Sequence, residues 1–194
     1  MGDNGRVSEQ RVAQAIRATP RAGFLPAEQR AYADRDVPLR LSAGQTNSQP
    51  STVAAMLELL DVPVGARVLD VGAGSGWTTA ILAELVGPQG WVLGLELLPE
   101  LAQWGAANLA AVARPWARIE TAEPGRLGRA AEGPYDRILV SAMADTLPDE
   151  LVEQLTDEGM LVVPVAGAMA RVTRRPSADP LIERSGAYRF VPLR

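Results

Sequence analysis

The chain has 194 residues, which suits one α/β domain, and a net charge of −4, which gives no general attraction to nucleic acid or to an anionic membrane. It contains neither cysteine nor histidine, and all of its positive charge is arginine, so lysine is absent too. These absences exclude disulfides, thiolate nucleophiles, histidine-based triads, histidine-rich zinc sites and lysine Schiff bases, and no bound metal is expected.

The N-terminal third is predicted to be helical and irregular. The polar start Met1–Arg6 lacks the apolar stretch of a signal peptide, and no apolar run is long enough to span a membrane, so a cytoplasmic protein is expected. Ser8 is a suitable N-cap for a first helix that ends before Pro20. A loop of small polar residues, 44–50, then leads to an amphipathic helix over 51–60. Four apolar side chains of this helix should point inward: Val53, Met56, Leu57 and Leu60.

Strands and helices alternate through the middle of the chain. Strands are predicted at Arg67–Val71, Trp91–Glu96, Ala117–Thr121, Tyr135–Val140 and Gly159–Val165, with helices at Ser75–Val86, Pro99–Ala113 and Pro148–Leu155. Two weaker strands, at about 170–174 and 184–190, complete the set. The alternation predicts an α/β fold with a doubly wound, mostly parallel, seven-stranded Rossmann-like sheet and an N-terminal helical segment. One domain over 1–194 is expected, with N-terminal helices in 1–60, the core sheet in 66–165 and C-terminal strands in 166–194.

The stretch Val68–Gly76 runs from an apolar strand into a glycine turn, and a helical pattern follows it. Glycine permits backbone angles closed to other residues and lets a ligand approach the main chain. The turn does not match the dinucleotide fingerprint, because the sixth position from Gly72 is Trp77 instead of glycine. It is not a P-loop either, since no Gly-Lys-Ser/Thr sequence occurs. A tight strand-to-helix turn that binds no ligand remains the alternative.

The glycines of this turn alternate, at Gly72, Gly74 and Gly76, and Asp70 precedes them. This arrangement resembles motif I of class I S-adenosylmethionine (SAM) methyltransferases, whose loop passes under the methionine and ribose of SAM. In that family a second acid, at the end of the next strand, accepts hydrogen bonds from the ribose hydroxyls, and Glu96 stands there. The resemblance implies SAM as the methyl donor and S-adenosylhomocysteine (SAH) as the product.

Several segments resemble one narrower family, protein-L-isoaspartate O-methyltransferase, in the right order over nearly the whole chain. The most specific is 44–50, Gly-Gln-Thr-Asn-Ser-Gln-Pro, whereas motif I is common to many methyltransferases. Further similar segments are Arg21–Pro26, 134–140, 161–165 and 190–193. The resemblance implies methylation of the free α-carboxylate of L-isoaspartyl residues in damaged proteins or peptides, a repair reaction, by a monomer that binds no nucleic acid or membrane.

Two alternatives stay open. One is a related carboxyl methyltransferase that tailors a different peptide or a small acid, and the other is a non-catalytic binding module. The residue inventory agrees with carboxyl methylation, because a carboxylate with a pKa of about 3.5 is already the nucleophile at neutral pH and needs no general base. An amine or catechol substrate would normally need a base or a metal.

The resemblance also implies which residues form the site. Ser48 and Thr46 are the expected catalytic residues, with Ser48 as a hydrogen-bond donor to the substrate carboxylate and not as a covalent nucleophile. The cofactor-binding residues that it implies are Asp70, Gly72, Ala73, Gly74, Ser75, Gly76, Glu96, Leu97, Glu123, Pro124 and Gln49. The substrate-binding residues that it implies are Asn47, Ser141, Ala142 and Val191.

The sequence departs from the family pattern at defined positions. Asn47 replaces an aliphatic residue, and Trp77 replaces the usual tyrosine after the glycine loop. Pro124 occupies the place of the aspartate that holds the adenine amino group, so Glu123 or backbone groups are expected to replace that contact. The region 167–187 also matches poorly, which indicates different substrate contacts there.

Overall fold

A seven-stranded sheet organises the fold, and the computed structural model describes the backbone of residues 4–194 and the side chains of residues 9–194. The helices are α1 (Asn4–Arg17), α2 (Pro50–Leu60), α3 (Trp77–Val86), α4 (Pro99–Ala110) and α5 (Asp149–Val152). The strands are β1 (Leu39–Arg40), β2 (Thr46–Asn47), β3 (Arg67–Val71), β4 (Trp91–Glu96), β5 (Ala117–Thr121), β6 (Tyr135–Val140), β7 (Leu155–Val165), β8 (Ala168–Arg175) and β9 (Ala178–Ser185).

The order of the strands places a crevice above β3. The sheet runs β5-β4-β3-β6-β7-β8-β9, while β1 and β2 form a separate antiparallel ribbon. Strands β3 to β7 are parallel, and β8 and β9 continue the sheet as antiparallel neighbours. The chain winds outward from β3 in both directions, which confirms the predicted doubly wound, mostly parallel α/β sheet. Ligands of such sheets bind beyond the carboxyl ends of the strands where the winding reverses.

Helices α1 to α4 pack on one face of the sheet. The apolar cluster between them joins Val12, Leu57 and Ile81 from the helices to Val68 and Leu139 from the strands. Helix α3 is apolar on nearly every side, and it is correspondingly buried along almost its whole length. The four residues of α2 predicted to point inward are all buried, as expected.

The other face of the sheet is covered mainly by short and irregular segments. Only Leu151 of α5 is fully buried there, and it packs with partly buried Leu127 and Leu147 from the connecting loops. The predicted helix 148–155 is wrong in length, because Leu155 already pairs with Tyr135 in the sheet and starts β7.

Other boundaries also differ from the sequence prediction, since β7 begins at Leu155 instead of Gly159 and β8 covers Ala168–Arg175. Helix α1 begins at Asn4, so Ser8 lies within it and is not the N-cap. Helix α3 begins at Trp77, since Gly76 takes the left-handed conformation with φ 87°. Helix α4 stops at Ala110, and β9 covers Ala178–Ser185 because it forms a hairpin with β8. Residues Met1–Asp3 lie outside the described part, within which no helix is long and apolar enough to cross a membrane.

Candidate active site

The glycine turn after β3 forms the floor of a cavity of about 310 Å³. Gly72, Gly74 and Gly76 all have positive φ, at 82°, 55° and 87°, in the region that favours glycine. The amide nitrogens of Gly72 and Ala73 both donate to the carbonyl of Leu95, at 2.8 and 3.0 Å, which ties the turn to the end of β4. The sequence therefore folds into a loop that is tied to β4, and at Gly72 and Gly74 no side chain separates the main chain from the cavity.

The Glu96 side chain links this loop to the turn after β4. Its Oε2 accepts a hydrogen bond from the Gly74 amide at 2.9 Å, and its Oε1 accepts one from the Leu98 amide at 3.0 Å. The side chain lines the cavity, although the residue is only 7% exposed. Each carboxylate oxygen keeps a further acceptor site, because an ionised carboxylate offers about four. The carboxylate is thus fixed in place and still able to accept hydrogen bonds from a vicinal diol.

The structure brings most of the predicted site residues to this one cavity. The predicted residues that line it are Thr46, Asn47, Ser48, Gly72, Ala73, Gly74, Ser75, Glu96, Leu97, Glu123, Ser141, Ala142 and Val191. Four predicted residues are not part of its lining: Gln49, Asp70, Gly76 and Pro124. The Gln49 amide instead donates to the Ser51 hydroxyl at 2.9 Å. Gly76 lies on the far side of the loop, where it faces Gly105 of α4.

Asp70 lies beneath the loop, and it is fully buried. Its Oδ2 accepts a hydrogen bond from the Thr79 hydroxyl at 2.7 Å, while its Oδ1 has no partner among the described residues. Burial raises the pKa of Asp70 to about 7, against a smaller lowering by the Thr79 hydrogen bond. Asp70 therefore joins β3 to α3 under the glycine loop and does not face the cavity.

Replacement of Asp70 by asparagine is expected to remove one pH-dependent contribution to stability. The folded-state pKa of about 7 lies above the usual 3.8, so the protonated acid favours the folded state below pH 3.8 and this benefit is lost as the pH rises towards 7. The melting temperature of Asp70→Asn minus that of the unmodified chain should increase from about pH 5 to about pH 8. A difference that stays constant over this range would contradict the assignment.

The segment that carries Ser48 forms one wall of the cavity. Residues 46–47 pair as β2 with β1, and the following proline begins α2. Ser48 is half-buried, and its hydroxyl makes no hydrogen bond to a described residue, so it is free to donate to a ligand. Its carbonyl accepts a hydrogen bond from the buried Arg21 guanidinium at 2.9 Å.

The C-terminal segment lies beside the end of β6 and closes the opposite wall. The Met143 amide donates to the Val191 carbonyl, and the Leu193 amide donates to the Met143 carbonyl, both at 2.7 Å. Ser141 and Ala142 lie between this segment and the glycine loop, and their small side chains leave space for the cavity. Val191, Pro192 and Leu193 thus line the cavity, although this segment is not part of a strand of the large sheet.

The loop after β5, which carries Pro124, forms one end of the cavity. Pro124 does not line the cavity, but the neighbouring Glu123 and Arg126 do. These two side chains form an exposed ion pair at 3.2 Å. An exposed pair of this kind contributes little to stability, so either side chain can turn to a ligand at little cost.

Several cavity residues were not predicted from the sequence. They include Gly44, Gln45, Trp77, Arg126, Leu127, Gly128, Pro192 and Arg194. Arg126 and Leu127 could have been found, because they follow β5 at the same carboxyl edge as Glu123. Gln45 could also have been found, because it adjoins the predicted Thr46 in the segment 44–50. The cavity contact of Arg194 had no such signal, because it depends on how the C-terminal segment folds back over the large sheet.

The chain is similar to one protein family over all of its residues. The family model described as protein-L-isoaspartate(D-aspartate) O-methyltransferase (PCMT) matches residues 1–194. A protein-L-isoaspartate O-methyltransferase from Aeropyrum pernix is 43% identical over 194 residues, which is 98% of this chain and 75% of that protein. One from Methanopyrus kandleri is 40% identical over 193 residues, which is 97% of this chain and 85% of that protein.

Two solved structures resemble the chain over nearly its whole length. A candidate protein-L-isoaspartate O-methyltransferase from Plasmodium falciparum, in complex with SAH, superposes with a TM-score of 0.84 at 25% identity and covers 95% of this chain and 90% of its own. A second structure named protein-L-isoaspartate O-methyltransferase has a TM-score of 0.87 at 23% identity, and it covers 97% of this chain and 62% of its own. The second likeness concerns the fold alone.

Proposed function

The chain belongs to the protein-L-isoaspartate(D-aspartate) O-methyltransferase family, and we propose that it methylates the free α-carboxylate of L-isoaspartyl residues in damaged proteins or peptides. The observation that carries this proposal is that Ser48, the glycine loop and Glu96 surround a single cavity. The names of relatives that are about 40% identical support the isoaspartyl carboxylate over a different peptide or small acid as the substrate.

The cavity has the features that SAM or SAH requires. Its volume of about 310 Å³ lies within the range of small-molecule sites. Glu96 offers free acceptor positions for the two ribose hydroxyls, and the glycine loop lets the ligand lie against the main chain. At the loop after β5, we assign the contact with the adenine amino group to Glu123, since Pro124 carries no polar side-chain atom and does not line the cavity.

The proposed chemistry needs positioning more than acid–base groups. When bound, SAM supplies an electrophilic methyl group on a cationic sulfur. The substrate carboxylate is ionised at neutral pH, so the site has no proton to remove. Ser48 would donate a hydrogen bond to one carboxylate oxygen, and Thr46 lies on the same wall to orient the substrate. Holding the other oxygen in line with the methyl group accounts for the catalysis, because fixed orientation alone can contribute several kcal/mol, up to about 10.

A panel of acids separates the proposed substrate from the alternative. Methyl transfer should be much faster to an L-isoaspartyl peptide than to aspartyl peptides or small carboxylic acids, because the relatives that are 40–43% identical are named for the isoaspartyl substrate. Preference for a small acid would favour the tailoring activity instead.

We also infer that the protein acts as a single-domain monomer in the cytoplasm, and sedimentation of the purified chain tests its oligomeric state.

Replacement of Ser48 by alanine is expected to lower kcat/KM for an isoaspartyl peptide about 10- to 100-fold, because a hydrogen bond to a charged group contributes roughly 1.5–3 kcal/mol. Affinity for SAH should change little, since this hydroxyl faces the substrate. Ser42→Ala is the matched control, because Ser42 is exposed on the same segment and does not line the cavity. Equal losses in the two variants would remove Ser48 from its proposed role.

A further inference from the structure

The side chain of Asn47 bridges the two halves of the site. It is only 5% exposed, and both ends of its amide are bonded. Its Oδ1 accepts a hydrogen bond from Arg21 Nε at 2.6 Å, and its Nδ2 donates one to the Ser75 hydroxyl oxygen at 3.0 Å. An aliphatic side chain, which the family pattern has at this position, can make neither bond.

Ser75 brings the glycine loop into this bridge. It lies between Gly74 and Gly76, it lines the cavity, and it is 2% exposed. Its carbonyl also accepts a hydrogen bond from the Asn108 side chain of α4 at 3.0 Å. The Ser75 hydroxyl thus joins the glycine loop directly to Asn47, which precedes Ser48 in the chain.

Arg21 anchors the other end of the bridge. Its guanidinium donates to the carbonyls of Asn47 and Ser48 at 3.1 and 2.9 Å, and it also donates to the carbonyls of Ala33, Arg35 and Val37. It lies over the Trp77 ring, 5.4 Å from the ring centroid. Burial lowers the pKa of Arg21 to about 10, so the group remains charged at neutral pH. Arg21 thus holds the backbone of Asn47 and Ser48, while the Asn47 side chain connects this backbone to the glycine loop.

We propose that Asn47 is a positioning residue that couples cofactor binding at the glycine loop to the placement of Ser48 for the substrate. This inference rests on the proposed function. A ligand that orders the loop fixes Ser75, Ser75 fixes the Asn47 amide, and the amide fixes the backbone that carries Ser48. Because such coupling is reciprocal, bound SAH should strengthen binding of an isoaspartyl peptide, and the peptide should strengthen binding of SAH by the same factor.

The bridge can be broken or kept by single substitutions. Asn47→Leu introduces the aliphatic type of side chain and removes both bonds. Asn47→Asp keeps two acceptor oxygens, one for Arg21 Nε and one for the Ser75 hydroxyl, which can donate. Ser75→Ala removes the loop end of the bridge and leaves the Arg21–Asn47 bond intact. This last variant tests the same link even if Asn47→Leu fails to fold.

Hydrogen exchange of the segment 44–50, measured with and without SAH, tests the proposal without an activity assay. At SAH concentrations that calorimetry shows to saturate each protein, SAH should slow exchange in this segment in the unmodified chain and in Asn47→Asp, but much less in Asn47→Leu and Ser75→Ala. Equal slowing in all four proteins, or none in the unmodified chain although calorimetry shows bound SAH, would overturn the coupling and leave the proposed function intact. Failure of the unmodified chain to bind SAH would overturn both.

Peptide binding gives the quantitative counterpart. In the unmodified chain, SAH is expected to lower the Kd of an isoaspartyl peptide about 5-fold or more, which is typical of coupled sites. In Asn47→Leu this factor should approach one, while the Kd of SAH alone stays within a few-fold. The double variant Asn47→Leu/Ser75→Ala should lose no more coupling than either single variant, because both remove the same bridge. Additive losses of coupling in the double variant would contradict a single bridge shared by Asn47 and Ser75.

Discussion

Glu96→Ala is expected to weaken SAH binding at least about 100-fold. The substitution removes the acceptor proposed for both ribose hydroxyls, and each charge-assisted hydrogen bond contributes roughly 1.5–3 kcal/mol. It also leaves the amides of Gly74 and Leu98 without their partner, which loosens the glycine loop itself. Isothermal titration calorimetry with SAH measures the loss directly.

Glu100→Ala provides the matched control for Glu96. It removes the same charge from the same part of the chain, but Glu100 is exposed in the first turn of α4 and does not line the cavity. Its SAH affinity should stay within about 2-fold of the unmodified chain, because an exposed charge acts weakly through solvent. Similar losses in the two variants would show a general charge effect and contradict the assignment of Glu96.

Gly105→Ala is expected to destabilise the fold by about 1 kcal/mol and to weaken SAH binding. A Cβ at Gly105 would lie 2.6 Å from the Gly74 carbonyl oxygen, so α4 or the glycine loop must move. Overpacking of this kind costs roughly 1–3 kcal/mol, whereas alanine in the middle of a helix would otherwise gain about 1 kcal/mol over glycine. Thermal melting should show a decrease of about 3 °C for a domain of this size.

Gly23→Ala is the control for this steric effect. A Cβ at Gly23 would meet nothing within 4 Å, and its backbone lacks a positive φ. This variant should melt within about 1 °C of the unmodified chain or slightly above it, because alanine lowers the entropy of the unfolded chain. A Gly105→Ala variant that melts at a higher temperature would mean that α4 does not press against the loop as described.

The parallel core of the fold could be predicted from the sequence almost residue for residue. Strands β3, β4, β5 and β6 have the predicted bounds. In β3, β4 and β6 most residues are buried, as in central parallel strands, whereas in the edge strand β5 only Ile119 is buried. The structure of the segments that cover the other face of the sheet could not be predicted from the sequence. The pattern at 148–155 is compatible with a helix, and only the pairing of Leu155 with Tyr135 makes the chain extended there.

The candidate site could be predicted in part for the same reason. Residues at a strand end or directly after it, such as Glu96 and Ser141, reach the cavity because the sheet places them there. Contacts between distant segments left no local signal. Gly105 presses on the glycine loop from α4, and Arg21 reaches Ser48 across 27 positions of the chain, so neither contact has a periodic pattern.

Methyl transfer from labelled SAM to a short peptide with one L-isoaspartate, compared with its normal aspartyl twin, tests the central claim most directly. We expect label to enter the isoaspartyl peptide as a base-labile methyl ester and the aspartyl twin to remain unlabelled. A protein that binds SAM by calorimetry but transfers no methyl group to the isoaspartyl peptide, or labels both peptides equally, would contradict the proposed activity.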